Sequence, residues 1–331
     1  MSQFIETIVE DLTAEVTRVM GVFSEILEID SLEADDDFFG LGGDSFDAIR
    51  AISRIDKELK VVALFEHPTA KQLAGYMMAS KQETGPRLVA LSGDRTVKAD
   101  LVVVGVPFGG GDPTSYMNLY KSQPKTHVYG VDFGDLNVAK SGAFDRFATE
   151  ATSAIAALDA PKTVIYGHCA GSATAACLAA ALEGRCNDLS LVVAAARPTT
   201  DFDAAIIALE TTSDEEWAGY LRTLGAFSGL KASETKAMLT RGRRDHLIAT
   251  EAFRRLGTNG PSAVPTLVLL GDADPATEET GAVISLWKER VNVVGTTMVD
   301  GGGHYFLRSH PQKVEQAIAA HIGITISERV K

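Results

Sequence analysis

A thiol stands where a strand is about to become a helix. Gly167-His168-Cys169-Ala170-Gly171 follows the β-branched run Thr163–Tyr166 and precedes SATAACLAAAL, a stretch of small residues. A Gly-x-nucleophile-x-Gly pentapeptide in that context is a turn so sharp that only glycines fit around the strained central residue, whose side chain is exposed at the top of a sheet. A cysteine gains from the helix start, because the positive end of the peptide dipoles favours the thiolate, its reactive form. The alternative is a small buried cysteine packing helix on strand. Ala173, Ala175 and Ala176 are assigned to close helix–sheet packing rather than chemistry.

A nucleophile needs a base and an acid to orient the base. Of seven histidines, His304 in Gly301-Gly302-Gly303-His304-Tyr305-Phe306 has a glycine-rich loop able to carry it over a sheet edge. His67, His127, His310 and His321 suit surface or packing positions, His246 falls in an insertion, and His168 lies inside the pentapeptide. Gly271-Asp272-Ala273-Asp274-Pro275 follows the run Thr266–Leu270 and offers Asp274 and Asp272 as candidate acids. Backbone donors for a developing oxyanion fit Val106-Pro107-Phe108-Gly109-Gly110-Gly111: the N–H of Phe108 or Gly109 is one, that of Ala170 the other. Those glycines lack the Lys-Ser/Thr of a P-loop and the spacing of a dinucleotide fingerprint.

The elements that must hold these groups divide in two. Residues 1–82 carry 16 Asp/Glu against 7 Lys/Arg, so most of the net charge of −13 sits in the first quarter of the 331-residue chain. An acidic balance of that kind argues against a nucleic-acid partner. Within it, Phe4, Ile5, Ile8, Val9, Leu12, Val16, Val19, Met20, Phe23, Ile26 and Leu27 recur at helical spacing. The pattern resumes after Ser45, and His67-Pro68-Thr69 punctuates before a last helix, Ala70–Met78, making a small bundle. SKQETGPR, residues 80–87, is a polar linker with a Gly-Pro break.

Beyond it, strands at Leu101–Val106, His127–Val131, Thr163–Tyr166, Leu189–Ala194, Thr266–Leu270 and Val291–Met298 interleave with helices at Ala143–Leu158, Ala173–Leu182 and Gly281–Glu289. Buried apolar strands alternating with helices predict an α/β fold with a mostly parallel sheet. Residues 198–258 break the alternation with helices and loops, the expected place for a lid that excludes water. No run approaches the about 20 apolar residues of a membrane helix. Cys169, Cys177 and Cys186 form neither a disulfide framework nor a metal spacing, which fits a reducing compartment, and a cytoplasmic location is expected.

DDDFFGLGGDSFDAIR and LFEHPTAKQLA resemble the core and closing helix of peptidyl carrier proteins of non-ribosomal peptide synthetases. The resemblance implies that Ser45 carries a 4′-phosphopantetheine arm, installed by a phosphopantetheinyl transferase and charged by upstream condensation and adenylation domains. From local chemistry alone, Asp44 or Ser45 is a helix cap. Ser45 to Pro68 is a few residues shorter than usual in that family, so the loop before the third helix should be trimmed. The acidic surface would then steer encounters with carrier-modifying enzymes.

VPFGGG, GHCAG, GDADP and GGGHYF together resemble the thioesterase domain of such synthetases, an α/β-hydrolase with a helical lid. The expected organisation is therefore a small all-α four-helix carrier bundle, residues 1–82, followed by an α/β-hydrolase thioesterase domain, residues 83–331. The resemblance makes Cys169, His304 and Asp274 a triad acting on a carrier-bound peptidyl thioester. Many release domains carry their acid just after the strand that follows the elbow helix; Ala196 stands there, which favours Asp274. A cysteine in place of the usual serine keeps the acyl group a thioester. The release domains with cysteine that this one resembles include those closing β-lactam or β-lactone rings, among them monobactam synthetases, so cyclisation to a strained ring is the expected release. Hydrolysis, macrocyclisation and an engineered Ser-to-Cys trap are alternatives within the class; a general esterase and a non-catalytic binding module are alternatives outside it.

Overall fold

The computed structural model describes residues 2–56, 59, 61–79, 86–226, 232–258 and 260–325. Of the expected linker at 80–87, residues 80–85 lie outside the described residues and Arg87 begins the first strand; the side chains of Phe4 to Leu12 and Phe227 also lie outside the described residues. The chain forms two units, the first covering residues 1–84 and the second most of the remainder. No helix among the described residues is long and apolar enough to cross a membrane.

The first unit is four helices: α1 (Ser2–Leu27), α2 (Ser45–Ile55), α3 (Val61–Glu66) and α4 (Ala70–Ala79). The i, i+3, i+4 stripe closes on itself, burying Val19, Phe23, Phe38, Ile52, Leu64 and Leu73 completely or nearly so. Phe38 is the pivot of the long α1–α2 loop. Its ring lies 4.7 Å from that of Phe23, and its N–H donates to the Pro68 carbonyl at 2.9 Å, tying the loop to the start of α4. α3 starts six residues after α2 ends, a short connection of the kind the Ser45–Pro68 spacing calls for.

The turn into α2 depends on this ring. A Cβ on Gly43 would meet Phe38 Cε1 at 2.4 Å, so only glycine lets the chain cross the ring. Asp44 then caps α2: its Oδ1 accepts from the N–H groups of Phe46 (2.8 Å) and Asp47 (3.0 Å), while Asp47 Oδ2 accepts from Asp44 N–H at 3.2 Å. Such a cap contributes about 1 kcal/mol. Ser45 is thereby left as the first helical residue, half-exposed, with the capping done by its neighbour.

The second unit is built on seven strands: β1 (Arg87–Ser92), β2 (Leu101–Val106), β3 (Thr126–Asp132), β4 (Lys162–His168), β5 (Asp188–Ala194), β6 (Ser262–Gly271) and β7 (Val291–Val299). Their order is β1-β3-β2-β4-β5-β6-β7, and all pairs are parallel except β1 on β3. β2 is buried at every position, as a central parallel strand covered on both faces must be. Helices α5 (Ala143–Ala156), α6 (Gly171–Leu182) and α10 (Thr280–Lys288), with α11 (Phe306–Ser309) and α12 (Pro311–His321), complete the alternation. β1 was not among the expected strands. It is a short, half-exposed edge strand on which Val89 alone is fully buried, and its apolar run, residues 88–91, is only four residues long.

The insertion between β5 and β6 holds α7 (Phe202–Thr211), α8 (Asp214–Thr223) and α9 (Ala232–Thr258), with no strand among its described residues. It is not uniformly a cover. α7 has no buried residue and exposes Ile207, whereas the second half of α9 buries Ile248, Ala249, Ala252, Phe253 and Leu256 in the same core as α6 and the sheet. Of the expected lid, α7 and α8 are the outer helices, whereas the second half of α9 belongs to the core.

Gly43→Ala should lower the stability of the first unit by about 1–3 kcal/mol through overpacking against Phe38. Gly21→Ala, on an exposed face of α1 with nothing within 4 Å of the new Cβ, should raise it by about 0.5–1 kcal/mol. Thermal unfolding of the two variants reads the difference.

Candidate active site

Parallel strands put all their C-terminal ends on one edge, and the residues singled out by spacing converge there. Cys169 sits between β4 and α6 at φ +50°, a left-handed conformation that costs a non-glycine residue about 1–2 kcal/mol. The turn is closed by hydrogen bonds that over-determine it. Cys169 N–H donates to Ala194 O at 2.8 Å, Ser172 N–H to Cys169 O at 3.0 Å, and the Ser172 hydroxyl to Gly167 O at 2.9 Å. A Cβ on Gly167 would lie 2.4 Å from Ser172 Cα, and one on Gly171 2.2 Å from Val106 O. Both glycines are thus required by close approach, and the fully buried Ala173, Ala175, Ala176 and Ala179 let α6 lie tightly on the sheet. The result is a half-buried thiol at the N-terminus of a twelve-residue helix.

His304 and Asp274 come from the loops after β7 and β6, which are stitched together. Gly302 N–H donates to Val299 O at 2.9 Å and to Asp272 Oδ1 at 3.1 Å, and Ala273 N–H donates to Gly302 O at 3.0 Å. That register places His304 Nδ1 3.0 Å from both carboxylate oxygens of Asp274. The Asp274 carboxylate also accepts from Ala276 N–H (2.9 Å) and the Thr277 hydroxyl (3.0 Å). Asp272, the alternative acid, is exposed and braces the loop instead. Ala196 is 5% exposed, and its carbonyl takes the Trp287 indole N–H at 2.9 Å, so that position presents no acid.

The charges of this cluster are coupled. Burial raises the Cys169 thiol, but the positive charge of His304, a hydrogen bond with it and the Ala170 N–H lower it further, and the net is below the ordinary thiol value of 9.0. Burial likewise pushes the His304 imidazole down; the Cys169 charge and the hydrogen bond to Asp274 outweigh it and lift the imidazole to about 10. Asp274, despite burial, is held below its usual value by the hydrogen bond and charge of His304. Both shifts favour the thiolate–imidazolium form of the pair. His304 Nε2 is buried with no well-aligned hydrogen-bond partner among the described residues, so charge dominates the pairing; catalytic contacts are often misaligned until substrate binds.

Around the nucleophile, the N–H groups of Phe108 and Gly109 have no hydrogen-bond partner among the described residues, whereas Gly110 N–H is taken by Asp245 Oδ2 at 2.9 Å. The Ala170 N–H acts on the Cys169 sulfur. Two histidines that spacing passed over belong to the site. His168 is fully buried; its Nε2 lies 2.7 Å from His304 O and its Nδ1 3.2 Å from the Tyr166 hydroxyl. Burial pushes it down to about 3, so it is neutral, donating to the carbonyl and accepting from the phenol. It anchors the backbone of the base to the strand that carries the nucleophile. His246 on α9 lies against Gly109. The position of His168 next to the nucleophile could have suggested its role; nothing local to His246 could.

Comparison with known proteins follows this geometry. Residues 101–317 match the alpha/beta hydrolase family, and residues 17–77 match the phosphopantetheine attachment site. The chain belongs to the alpha/beta hydrolase family, and its helical unit is a phosphopantetheine carrier to which that group is covalently attached. The half-exposed hydroxyl of Ser45, freed from capping by Asp44, fits such an attachment. Isonitrile lipopeptide synthase of Streptomyces coeruleorubidus is 33% identical over 117 residues, covering 33% of this chain and 8% of that protein. Surfactin synthase subunit 3 of Bacillus subtilis is 29% identical over 134 residues, covering 39% and 10%. The chain thus spans a tenth or less of these curated relatives. Among solved structures, the type II thioesterase BorB of the borrelidin cluster is 22% identical with a TM-score of 0.52, covering 73% of this chain and 99% of its own. YbtT, a type II thioesterase of the yersiniabactin pathway, is 18% identical with a TM-score of 0.55, covering 71% and 98%. These two share the fold.

Iodoacetamide at neutral pH should alkylate Cys169 and spare Cys177, whose thiol burial pushes up to about 12. Alkylation follows the thiolate, so its rate should level off at a pH below that of an ordinary thiol. His304→Gln leaves burial opposed only by the Ala170 N–H and should shift the rise upward, slowing the neutral reaction by about tenfold or more. Peptide mapping across a pH series gives both results.

Proposed function

We propose that the chain is the terminal carrier–thioesterase portion of a non-ribosomal peptide synthetase, and that it releases a peptide by transfer to Cys169 followed by intramolecular ring closure. The observation that carries the reading is a cysteine at a left-handed nucleophile turn, on the same sheet edge as a histidine held by a buried aspartate, in the same chain as a phosphopantetheine carrier unit. Upstream synthetase domains and a phosphopantetheinyl transferase are the partners this reading requires. Ser45 is the proposed attachment point, and the arm supplies an acyl group activated as a thioester.

Cys169, already ionised, attacks the carbonyl carbon of the thioester. The N–H groups of Ala170 and of Phe108 or Gly109 receive the charge that develops on oxygen. His304 gives its Nε2 proton to the departing sulfur, and Asp274 holds the imidazole by Nδ1 throughout. The acyl group is now on Cys169 and His304 is neutral. An amine or hydroxyl within the peptide then attacks, His304 accepts its proton, and Cys169 leaves as the thiolate that its surroundings favour. The second step restores the resting ion pair, so the cycle needs no outside proton.

The case for a strained ring rests on energy. Moving an acyl group from thioester to serine oxyester discards activation, whereas transfer to Cys169 conserves it, leaving more free energy for closing a small ring. The rate should fall at low pH as the thiolate is protonated, and at high pH as His304 loses its proton near 10. Hydrolysis uses the same residues with water as the second nucleophile.

Mass spectrometry of products from the holo chain charged with a peptide that has a β-amine or β-hydroxyl nucleophile should find a species 18 Da lighter than the linear acid, about one water lost on closure. Linear acid alone would contradict ring closure, and Ser45→Ala should abolish charging.

A further inference from the structure

α9 reaches over the loop after β2 and grips it. Asp245, 2% exposed, accepts the Gly110 N–H, and its other oxygen is paired with Arg244 at 2.7 Å. Arg244 in turn donates to Gly134 O at 2.8 Å. The next residue along, His246, is thereby held over Gly109. The point where a Gly109 Cβ would stand is 2.8 Å from His246 Nε2, 2.9 Å from its Cδ2 and 3.7 Å from Ala170 Cβ. His246 Nε2 therefore lies beside Gly109, which in turn neighbours Ala170, two of the residues whose N–H groups are the candidate oxyanion donors. Trp217 of α8 packs edge-on against the same ring at 5.5 Å. Neither ring nitrogen has a hydrogen-bond partner among the described residues.

We propose that His246 is a catalytic residue: its Nε2–H is a third donor to the oxyanion formed when Cys169 attacks an acyl carbon. This rests on the functional reading above. Its protonation state suits the task. Burial and the positive charge of His304 push the imidazole down to about 4, so it is neutral and donates without adding a second cation beside the His304 imidazolium. A donor fixed in advance on a core helix needs no reorganisation as the charge appears. It also accounts for a helix of the insertion being pinned to the oxyanion loop by a buried carboxylate.

Two reactions of the same thiolate separate this role from packing. Alkylation by iodoacetamide is a displacement at a saturated carbon and forms no oxyanion. Acylation by an acyl-N-acetylcysteamine thioester forms one. In the full chain, His246→Leu should leave the alkylation rate of Cys169 within about twofold and lower its acylation rate about 100-fold. His246→Gln, which keeps a donor near the Nε2 position, should recover about tenfold or more of that loss. Unchanged acylation in His246→Leu, an equal loss in both reactions, or a Gln variant no better than Leu would overturn the role. A wild-type chain that is alkylated but never acylated would contradict the functional reading itself, and this role with it.

Discussion

The pairing of a Cys169 thiolate with a His304 imidazolium, toward which both groups are shifted, is the interaction on which the candidate site depends. Burial opposes it twice, since desolvation favours the neutral thiol and the neutral imidazole alike. Several kcal/mol per ion is a usual penalty. The pair persists because each charge compensates the other and because fixed groups surround it: Asp274 behind the imidazole, the Ala170 N–H on the sulfur, and the start of α6 beneath. Asp274 is itself stabilised by Ala276 and Thr277.

The fold supplies the rigidity that this balance requires. A parallel sheet delivers Cys169, Asp274 and His304 from the ends of β4, β6 and β7. Cross-links then fix their register: Gly302 joins the acid and base loops, and His168 ties the backbone of His304 to β4. α9 adds a third anchor through Asp245, which sets the conformation of the loop bearing Phe108 and Gly109. The outer part of the insertion is packed less completely, with Ile207 and Tyr220 58% and 54% exposed.

Much of this was legible in the sequence because the required residues are local. A left-handed turn between strand and helix demands glycines on both sides of Cys169, and a glycine-rich loop after the last strand singles out His304. Asp274 and Asp272 could not be separated by spacing alone, since two residues decide which carboxylate turns inward. The double role of the insertion was hidden for a different reason. Ile248, Ala252 and Phe253 at helical spacing are the same whether a helix covers a site or joins the core, and only tertiary packing distinguishes them. β1 escaped because its apolar run, residues 88–91, is short and follows closely on the Gly-Pro break of the expected linker. His168 and His246 owe their roles to contacts 136 residues away in the chain for the former, and across an inserted helix for the latter.

The central claim is a resting ion pair at Cys169, and thiolate absorbance titration tests it most directly. Subtracting the curve of Cys169→Ser from that of the wild-type chain isolates the one thiol. An ionisation below the ordinary thiol value of 9.0, which moves upward in His304→Gln, is the predicted result. A thiol that ionises at or above its ordinary value and does not respond to loss of His304 would contradict the account.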